Sequence, residues 1–88
     1  MIGPLSRTTL SEAILDNIIR AVKEGVWQPG SRIPSEQELA TAFSVSRNSI
    51  REAVKTLNNL GVLESKPGQG TFLAADAIRR ILYSEFIE

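Results

Sequence analysis

The chain has 88 residues, 42% of them hydrophobic, and its ten basic side chains balance its ten acidic ones. A chain this short forms one domain and buries only about 60% of its unfolded surface, which leaves little material for a deep catalytic cleft. Cysteine and histidine are both absent, and this excludes disulfides, thiolate chemistry and nearly all zinc sites. We therefore expect a non-enzymatic globular domain with no cofactor of its own.

We expect neither a signal peptide nor a membrane-spanning helix. No apolar run of the length found in signal peptides follows the first residues, and no segment approaches the roughly 20 apolar residues of a membrane-spanning helix. Together with the absence of cysteine, these features lead us to expect a cytoplasmic protein with no membrane partner.

A first helix is predicted over about residues 10–24. Thr9 and Glu12 have the spacing of a capping box, in which each side chain satisfies a backbone N–H of the other's segment. Gly25 is suited to end this helix, since glycine takes the left-handed conformation without steric cost. The apolar side chains that recur at helical intervals are Leu10, Ile14, Leu15, Ile18, Ile19 and Val22.

A turn and a short extended segment are predicted next. Pro29-Gly30 favours a turn. Because Pro34 disfavours helix in the residue before it, Arg32-Ile33 is expected to form a short edge strand.

Two capped helices separated by a tight turn follow. Ser35 and Glu38 form a second capping box, which opens a short helix that ends near Ser44. A third helix is capped by Ser46 and stopped by Gly61. This spacing predicts a helix-turn-helix. The short helix is expected to bury Leu39, Ala40 and Phe43.

A β-hairpin is predicted after the third helix. Residues 62–66 and 71–73 are β-prone, and residues 67–70 join them as a glycine-rich loop. Helix, short strand, helix, helix and hairpin, in this order, make a winged helix. The predicted fold is therefore a mainly helical α+β winged helix-turn-helix over residues 1–74, with three helices, a short strand and a C-terminal hairpin wing.

The last segment, residues 76–88, has the pattern of an apolar helix. Two interpretations are open: the helix packs onto the same domain, or it begins a second domain or a dimer contact. We favour the second interpretation, because the helix is too apolar to stand alone. Residues 75–88 are then a linker helix that leads to an effector and dimerisation domain.

The third helix has two contrasting faces when its residues are placed 100° apart. The face expected in the core consists of Ile50, Ala53, Val54, Leu57 and Leu60. The opposite arc carries Arg47, Asn48, Arg51 and Lys55, and Asn58 and Asn59 extend it without charge. Arginine can bind guanine O6 and N7, and asparagine can bind adenine N6 and N7, so this arc suits the edges of DNA bases. A solvated surface stripe is the alternative, since exposed lysine and arginine occur on any helix.

Donor groups surround this arc. Ser46 and Ser49 at the start of the third helix, and Ser35 and Gln37 at the start of the second, suit a phosphate. Arg32 precedes the second helix and could reach the flanking DNA backbone.

The hairpin tip has the composition of a minor-groove wing. It carries Lys66, Gln69 and two glycines, Gly68 and Gly70, which allow main chain to approach a neighbouring surface closely. A simple tight hairpin is the alternative. Gly68-Gln69-Gly70 is also part of a nucleotide-binding glycine pattern, which we discount because a strand follows it and not a helix.

These residues resemble the DNA-binding domain of the GntR family of bacterial transcription regulators, over about residues 10–73. The matching motifs, in order and spacing, are Pro29-Gly30, Ile33-Pro34-Ser35-Glu36, Leu39-Ala40, Val45-Ser46-Arg47, Arg51-Glu52-Ala53, Leu57, Leu60-Gly61 and Gly68-x-Gly70-Thr71-Phe72. The resemblance implies major-groove contacts by Ser46, Arg47, Asn48, Ser49 and Arg51. It implies phosphate contacts by Arg32, Ser35 and Gln37, a wing at residues 66–70, and a structural role for Glu36 in the turn.

The resemblance also implies a longer protein. Family members carry a C-terminal domain that binds a small-molecule or metal effector and dimerises, and the segment after Ala74 is similar to the linker of the FadR-like branch, in the subgroup called FCD. The implied function is that of a metabolite-responsive regulator, usually a repressor, which binds a palindromic double-stranded DNA operator as a homodimer. The alternative is a winged helix that contacts other proteins, and the zero net charge favours it.

Overall fold

A computed structural model describes residues 10–87 of the chain. Four helices and one two-stranded antiparallel sheet make up the described part. The elements are α1 (Leu10–Lys23), α2 (Glu36–Phe43), α3 (Arg47–Asn59), β1 (Leu63–Lys66), β2 (Gly70–Leu73) and α4 (Ala77–Ile87). This order confirms the predicted mainly helical α+β winged helix-turn-helix.

Helix α1 places its apolar stripe against the rest of the domain. Ile14, Ile18 and Val22 are buried, and Leu15 and Ile19 are half-buried against the same core. Leu10, in the first turn, is 53% exposed and lines an open groove beside the start of α3. Thr9, the predicted cap of this helix, lies outside the described residues.

Local hydrogen bonds and backbone conformation fix both ends of α2 and the start of α3. The Ser35 hydroxyl accepts the Glu38 N–H at 3.1 Å, and a Glu38 carboxylate oxygen accepts the Ser35 N–H at 2.9 Å, which completes the predicted capping box. Ser44 ends α2 in the left-handed conformation, with φ of 58°. Ser46 then caps α3 by accepting the Ser49 N–H at 3.1 Å. The two helices are thus joined by a turn of fixed geometry.

Helix α3 supplies the centre of the core. Ile50 and Leu57 are fully buried, and Ala53 and Val54 are nearly so. The prediction that Leu60 also faces the core is wrong, since its side chain is 37% exposed. The helix ends at Asn59, and Leu60 occupies the C-cap position, where the chain turns towards β1. The helical period therefore no longer directs this side chain inwards.

The wing is a short hairpin with an extra bridge on one edge. Strands β1 and β2 pair so that Leu63 is opposite Leu73 and Lys66 is opposite Gly70. Arg32 forms a single antiparallel bridge with Phe72. The edge strand predicted at Arg32-Ile33 is therefore reduced to one bridge. Pro34 has no N–H to continue the pairing on this edge, so the bridge stays short.

Helix α4 packs on the domain with one side only. Ala77 and Ile81 are each 1% exposed, and the Lys23 ammonium lies 3.0 Å from a Glu85 carboxylate oxygen, which joins the end of α1 to α4. The large apolar side chains on the other side of α4 remain exposed: Ile78, Leu82, Tyr83 and Phe86. Between residues 10 and 87, no helix is both long and apolar enough to cross a membrane.

Candidate nucleic-acid interface

The exposed face of α3 carries the side chains predicted to read base edges. Arg47, Asn48, Arg51 and Lys55 are all exposed. They lie opposite a face whose central residues, such as Ile50 and Leu57, are fully buried. The core thus fixes the orientation of α3 and presents the polar arc outwards as a rigid unit.

Arg51 has a partner on the preceding helix. Its Nε lies 3.6 Å from a Glu36 carboxylate oxygen, with the two side chains 54% and 30% exposed. Ion pairs this accessible contribute about 0–1 kcal/mol to stability. The pair nevertheless restrains the Arg51 side chain and links the first turn of α2 to α3. This contact gives a physical basis for the structural role that the sequence predicts for Glu36.

The start of α3 presents a hydroxyl donor beside its backbone N–H groups. The Ser46 oxygen is occupied as the helix cap, and the Ser46 hydroxyl donates to the Ser49 hydroxyl oxygen at 3.1 Å. This arrangement leaves the hydroxyl hydrogen of Ser49 to point at another acceptor. Ser46 therefore acts first on the geometry of the helix terminus, and Ser49 is the better placed of the two to donate.

Asn58 corrects the sequence interpretation of the polar arc. It is half-buried, and its Nδ2 donates to the Ser65 hydroxyl at 2.9 Å. The Ser65 and Thr71 hydroxyls are 3.3 Å apart, so the end of α3 is tied to both strands of the wing. Asn58 thus belongs to the support of the interface. Helical periodicity places it on the exposed arc, and only the packing of the hairpin covers it.

A groove joins the N-terminus of α2 to the start of β2 in the wing. It has a volume of about 250 Å³. The predicted site residues that line it are Arg32, Ser35, Gln37, Arg47 and Gly70. Three elements thus bring two arginines, a hydroxyl and an amide to one concave surface.

The capping box at the start of α2 also shifts the pKa of one carboxyl group. The Ser35 N–H and the Ser35 hydroxyl lower the pKa of Glu38 from its ordinary value, and the Arg32 guanidinium adds to the shift. A carboxylate with a lowered folded-state pKa stabilises the fold above its unfolded-state pKa, and this contribution is lost as the pH falls through the folded-state value. Glu38 is therefore ionised at neutral pH, and its carboxylate accepts the hydrogen bond from the Ser35 N–H in the cap.

The wing tip carries the remaining predicted contacts. Lys66, Gly68 and Gln69 are exposed, and Gly70 is half-buried. The Gln69 N–H donates to the Lys66 carbonyl at 2.9 Å and closes the loop. The Lys66 ammonium lies 4.6 Å from the centre of the Phe72 ring, which orients this charge along the hairpin.

The predicted site residues thus fall into three sets in the structure. Asn48, Ser49, Arg51 and Lys55 line an open groove on α3. Arg47 lies in the second groove with the residues from α2 and Arg32. Lys66, Gly68 and Gln69 form the wing tip, which lies outside both grooves.

Comparisons with known proteins agree with this architecture. The chain is 33% identical to the transcriptional repressor YtrA of Bacillus subtilis over 76 residues. The aligned region covers 86% of this chain and 58% of YtrA. The chain spans between about a quarter and three fifths of the length of the curated relatives it matches.

Solved structures show the same fold. A GntR family transcriptional regulator from Listeria monocytogenes superposes with a TM-score of 0.81 and 26% identity, over 97% of this chain and 73% of that chain. The DNA-binding domain of AraR, solved in complex with operator ORE1, superposes with a TM-score of 0.74 and 35% identity, over 84% of this chain and 94% of that chain.

The family model for bacterial regulatory proteins of the gntR family matches residues 10–73, which contain α1 to β2 and both grooves. The chain therefore belongs to the GntR family of bacterial transcription regulators.

Proposed function

We propose that this chain is the operator-binding domain of a metabolite-responsive repressor, and that it binds a palindromic double-stranded DNA site as a homodimer. The observation that carries the proposal is the division of α3 into a fully buried apolar face and an exposed arc of three cations and one amide. A rigid helix with such an arc fits the major groove, whose width admits one α-helix. The operator complexes of the AraR domain support the proposal, because this chain shares that fold.

The side-chain chemistry and the helix that carries each residue suggest a division of roles. Arg47, Asn48 and Arg51 are proposed to read base edges, because guanidinium and amide groups pair bidentately with guanine and adenine. Arg32, Ser35 and Gln37 are proposed to bind phosphates beside the N-terminus of α2, where backbone N–H groups and the helix dipole favour an anion.

The other predicted contacts flank these two sets. Ser46, Ser49 and Lys55 would add contacts at either end of the α3 arc. Lys66, Gly68 and Gln69 would place the wing tip in the adjacent minor groove, where a glycine allows the main chain a close approach. Gly70 belongs to the same wing and begins β2.

Helix α4 supports the proposal of a longer, dimeric protein. Tyr83 is 64% exposed and Phe86 is 87% exposed, and aromatic side chains clustered on a surface are typical of a protein–protein contact. We propose that residues 75–88 lead from the winged helix at residues 1–74 to an effector and dimerisation domain. An effector domain of the FadR-like type, in the FCD subgroup, with a small-molecule or metal ligand, stays a prediction from the sequence.

The proposal is tested by titrating the chain against a random-sequence DNA duplex over a series of salt concentrations. A protein that neutralises phosphates shows a log affinity that falls linearly with log salt, with a slope of about −0.9 for each phosphate neutralised. Selection of binding sites from a random DNA pool should then yield a preferred half-site. If no salt-sensitive DNA binding is found, the domain is instead a protein-interaction module, in agreement with its zero net charge.

A further inference from the structure

Gly70, the first residue of β2 after the wing loop, lies directly beneath the side chain of Arg32. We infer that Gly70 is a positioning residue. Its missing Cβ leaves a space, here called the seat, in which the Arg32 guanidinium lies and from which it faces a DNA phosphate. The inference rests on the proposed function, and it assigns to Gly70 a role that acts through Arg32 and not through its own contact with DNA.

The register of the wing explains why these two residues meet. Arg32 is paired with Phe72, and the Ile33 N–H donates to the Thr71 carbonyl at 2.9 Å on the same edge. Side chains two residues apart on a strand lie on the same face, so Gly70 lies diagonally beside Arg32. The diagonal neighbour of a long side chain in a sheet is within its reach.

The seat exists only without a Cβ atom. A methyl group built on Gly70 would lie 2.6 Å from Arg32 Nε and 3.3 Å from both Cδ and Cζ. Nε and Cζ belong to the guanidinium itself, so the contact is relieved only when this flexible group moves. An alanine here would push the whole guanidinium out of its present position, and the backbone φ of 120° would be strained in addition.

The guanidinium held in this seat is available for a ligand. Within residues 10–87, no hydrogen bond or ion pair within 4.0 Å is formed by the Arg32 side chain. It faces the groove that also contains Ser35, Gln37 and Arg47. Two carboxylates near Arg32 have other partners: Glu38 accepts the Ser35 N–H in the cap, and Glu36, which lines the same groove, pairs with Arg51. A planar guanidinium with five N–H donors suits the oxygens of a phosphate at this place.

Gly30 is the matched comparison on the neighbouring segment, two residues before Arg32, and it is not among the predicted DNA contacts. It also has a positive φ, of 86°, but a Cβ built there meets no atom within 4 Å. An alanine at either position therefore strains the backbone, and only an alanine at Gly70 displaces Arg32.

The experiment measures the affinity of the chain for a random-sequence DNA duplex over a salt series, with the unfolding temperature of each variant as a check on folding. A random duplex suffices because a phosphate contact does not depend on base sequence. The variants are Arg32→Ala, Gly70→Ala, Gly30→Ala and the double variant Arg32→Ala/Gly70→Ala. We expect Arg32→Ala and Gly70→Ala each to reduce the magnitude of the salt slope by about one. The double variant should show no further reduction, and Gly30→Ala should keep the slope of the unmodified chain.

Several outcomes would overturn the inference. A Gly70→Ala variant with an unchanged slope shows that the seat does not control Arg32. A loss in the double variant equal to the combined losses of the single variants shows that Gly70 acts on its own. An equal loss in Gly30→Ala assigns the effect to backbone strain. The strain at φ of 120° is present in Gly70→Ala and in the double variant alike, and only Gly70→Ala also displaces Arg32. The double variant must therefore unfold at a higher temperature than Gly70→Ala, and an equal unfolding temperature contradicts the seat.

The same measurements separate this inference from the proposed function. Salt-sensitive binding that survives unchanged in Arg32→Ala rejects the seat and leaves the DNA-binding proposal standing. Absence of salt-sensitive binding by the unmodified chain rejects the proposed function itself.

Discussion

Helices α3 and α4 bury one side in the same core and differ in the side that remains. In α3, the outer face carries Arg47, Asn48, Arg51 and Lys55. In α4, large apolar side chains remain in solvent, and Phe86 is 87% exposed. The buried faces of both helices consist of aliphatic residues, so they report only on packing. The comparison shows that the outer face of a packed helix carries the information about its partner: charged and amide groups suit a nucleic acid, and aromatic and aliphatic groups suit another protein surface.

The comparison of α3 with α4 requires that α4 packs on the same core, and this requirement is tested first. Ile81 is 1% exposed and Leu82, its neighbour, is 53% exposed. We expect Ile81→Ala to lower the free energy of unfolding by about 2–5 kcal/mol, because it leaves a cavity in the core. Leu82→Ala should change it by less than about 0.5 kcal/mol, because the side chain is already in water. Urea unfolding curves of both variants measure the difference. Equal and small effects would show that α4 does not pack as described.

The charged outer face of α3 is tested by removing single arginines. We expect Arg47→Ala and Arg51→Ala each to weaken binding to a selected site by about 1–3 kcal/mol and to relax base preference, because each removes a bidentate contact. Arg79→Ala on α4 is the matched control, since it removes the same charge from an exposed position on the other helix. Gel-shift titration against the selected site and against single-base variants of that site measures affinity and selectivity. Full affinity and selectivity in both α3 variants would remove α3 from the major groove.

The smallest expected effect concerns the cap at the start of α2, the helix that precedes α3. Ser35→Ala removes the hydroxyl that accepts the Glu38 N–H, and we expect a loss of about 0.5–2 kcal/mol in the free energy of unfolding. Ser35→Asn should retain most of the stability, because asparagine caps helices as well as serine does. Thr41→Ala is the control, since it removes a hydroxyl from an exposed position of the same helix, where that group accepts the Gln37 side-chain amide and caps no helix. Chemical denaturation of the three variants is the measurement, and an unchanged midpoint for Ser35→Ala would show that the cap contributes nothing.

Local rules predict the elements of this fold because the signals are short-range. The capping box at Ser35 and Glu38, the cap at Ser46 and the glycine after α3 depend on residues within one helical turn. The exposed arc of Arg47, Asn48 and Arg51 follows from the helical period once the apolar face is known. Such features need no knowledge of the rest of the molecule.

Three features that local rules did not predict lie where elements meet. Leu60 follows the apolar period, but it stands at the C-cap, where the chain leaves the helix. Asn58 follows the polar period, but the wing folds back and its amide donates to Ser65. The ion pair between Glu36 and Arg51 joins two helices, and its geometry is set by the angle between them.

The sequence by itself determined the winged helix, its caps, its polar arc and its membership of the GntR family, because each depends on local spacing and on the order of motifs. Only the tertiary structure decided which of the polar residues support the interface and which are presented on it. Asn58 became part of the support, and Gly70 became the seat of Arg32, 38 positions earlier in the chain. Such contacts depend on how a hairpin and two helices pack in space, and no local pattern of residue types specifies that geometry.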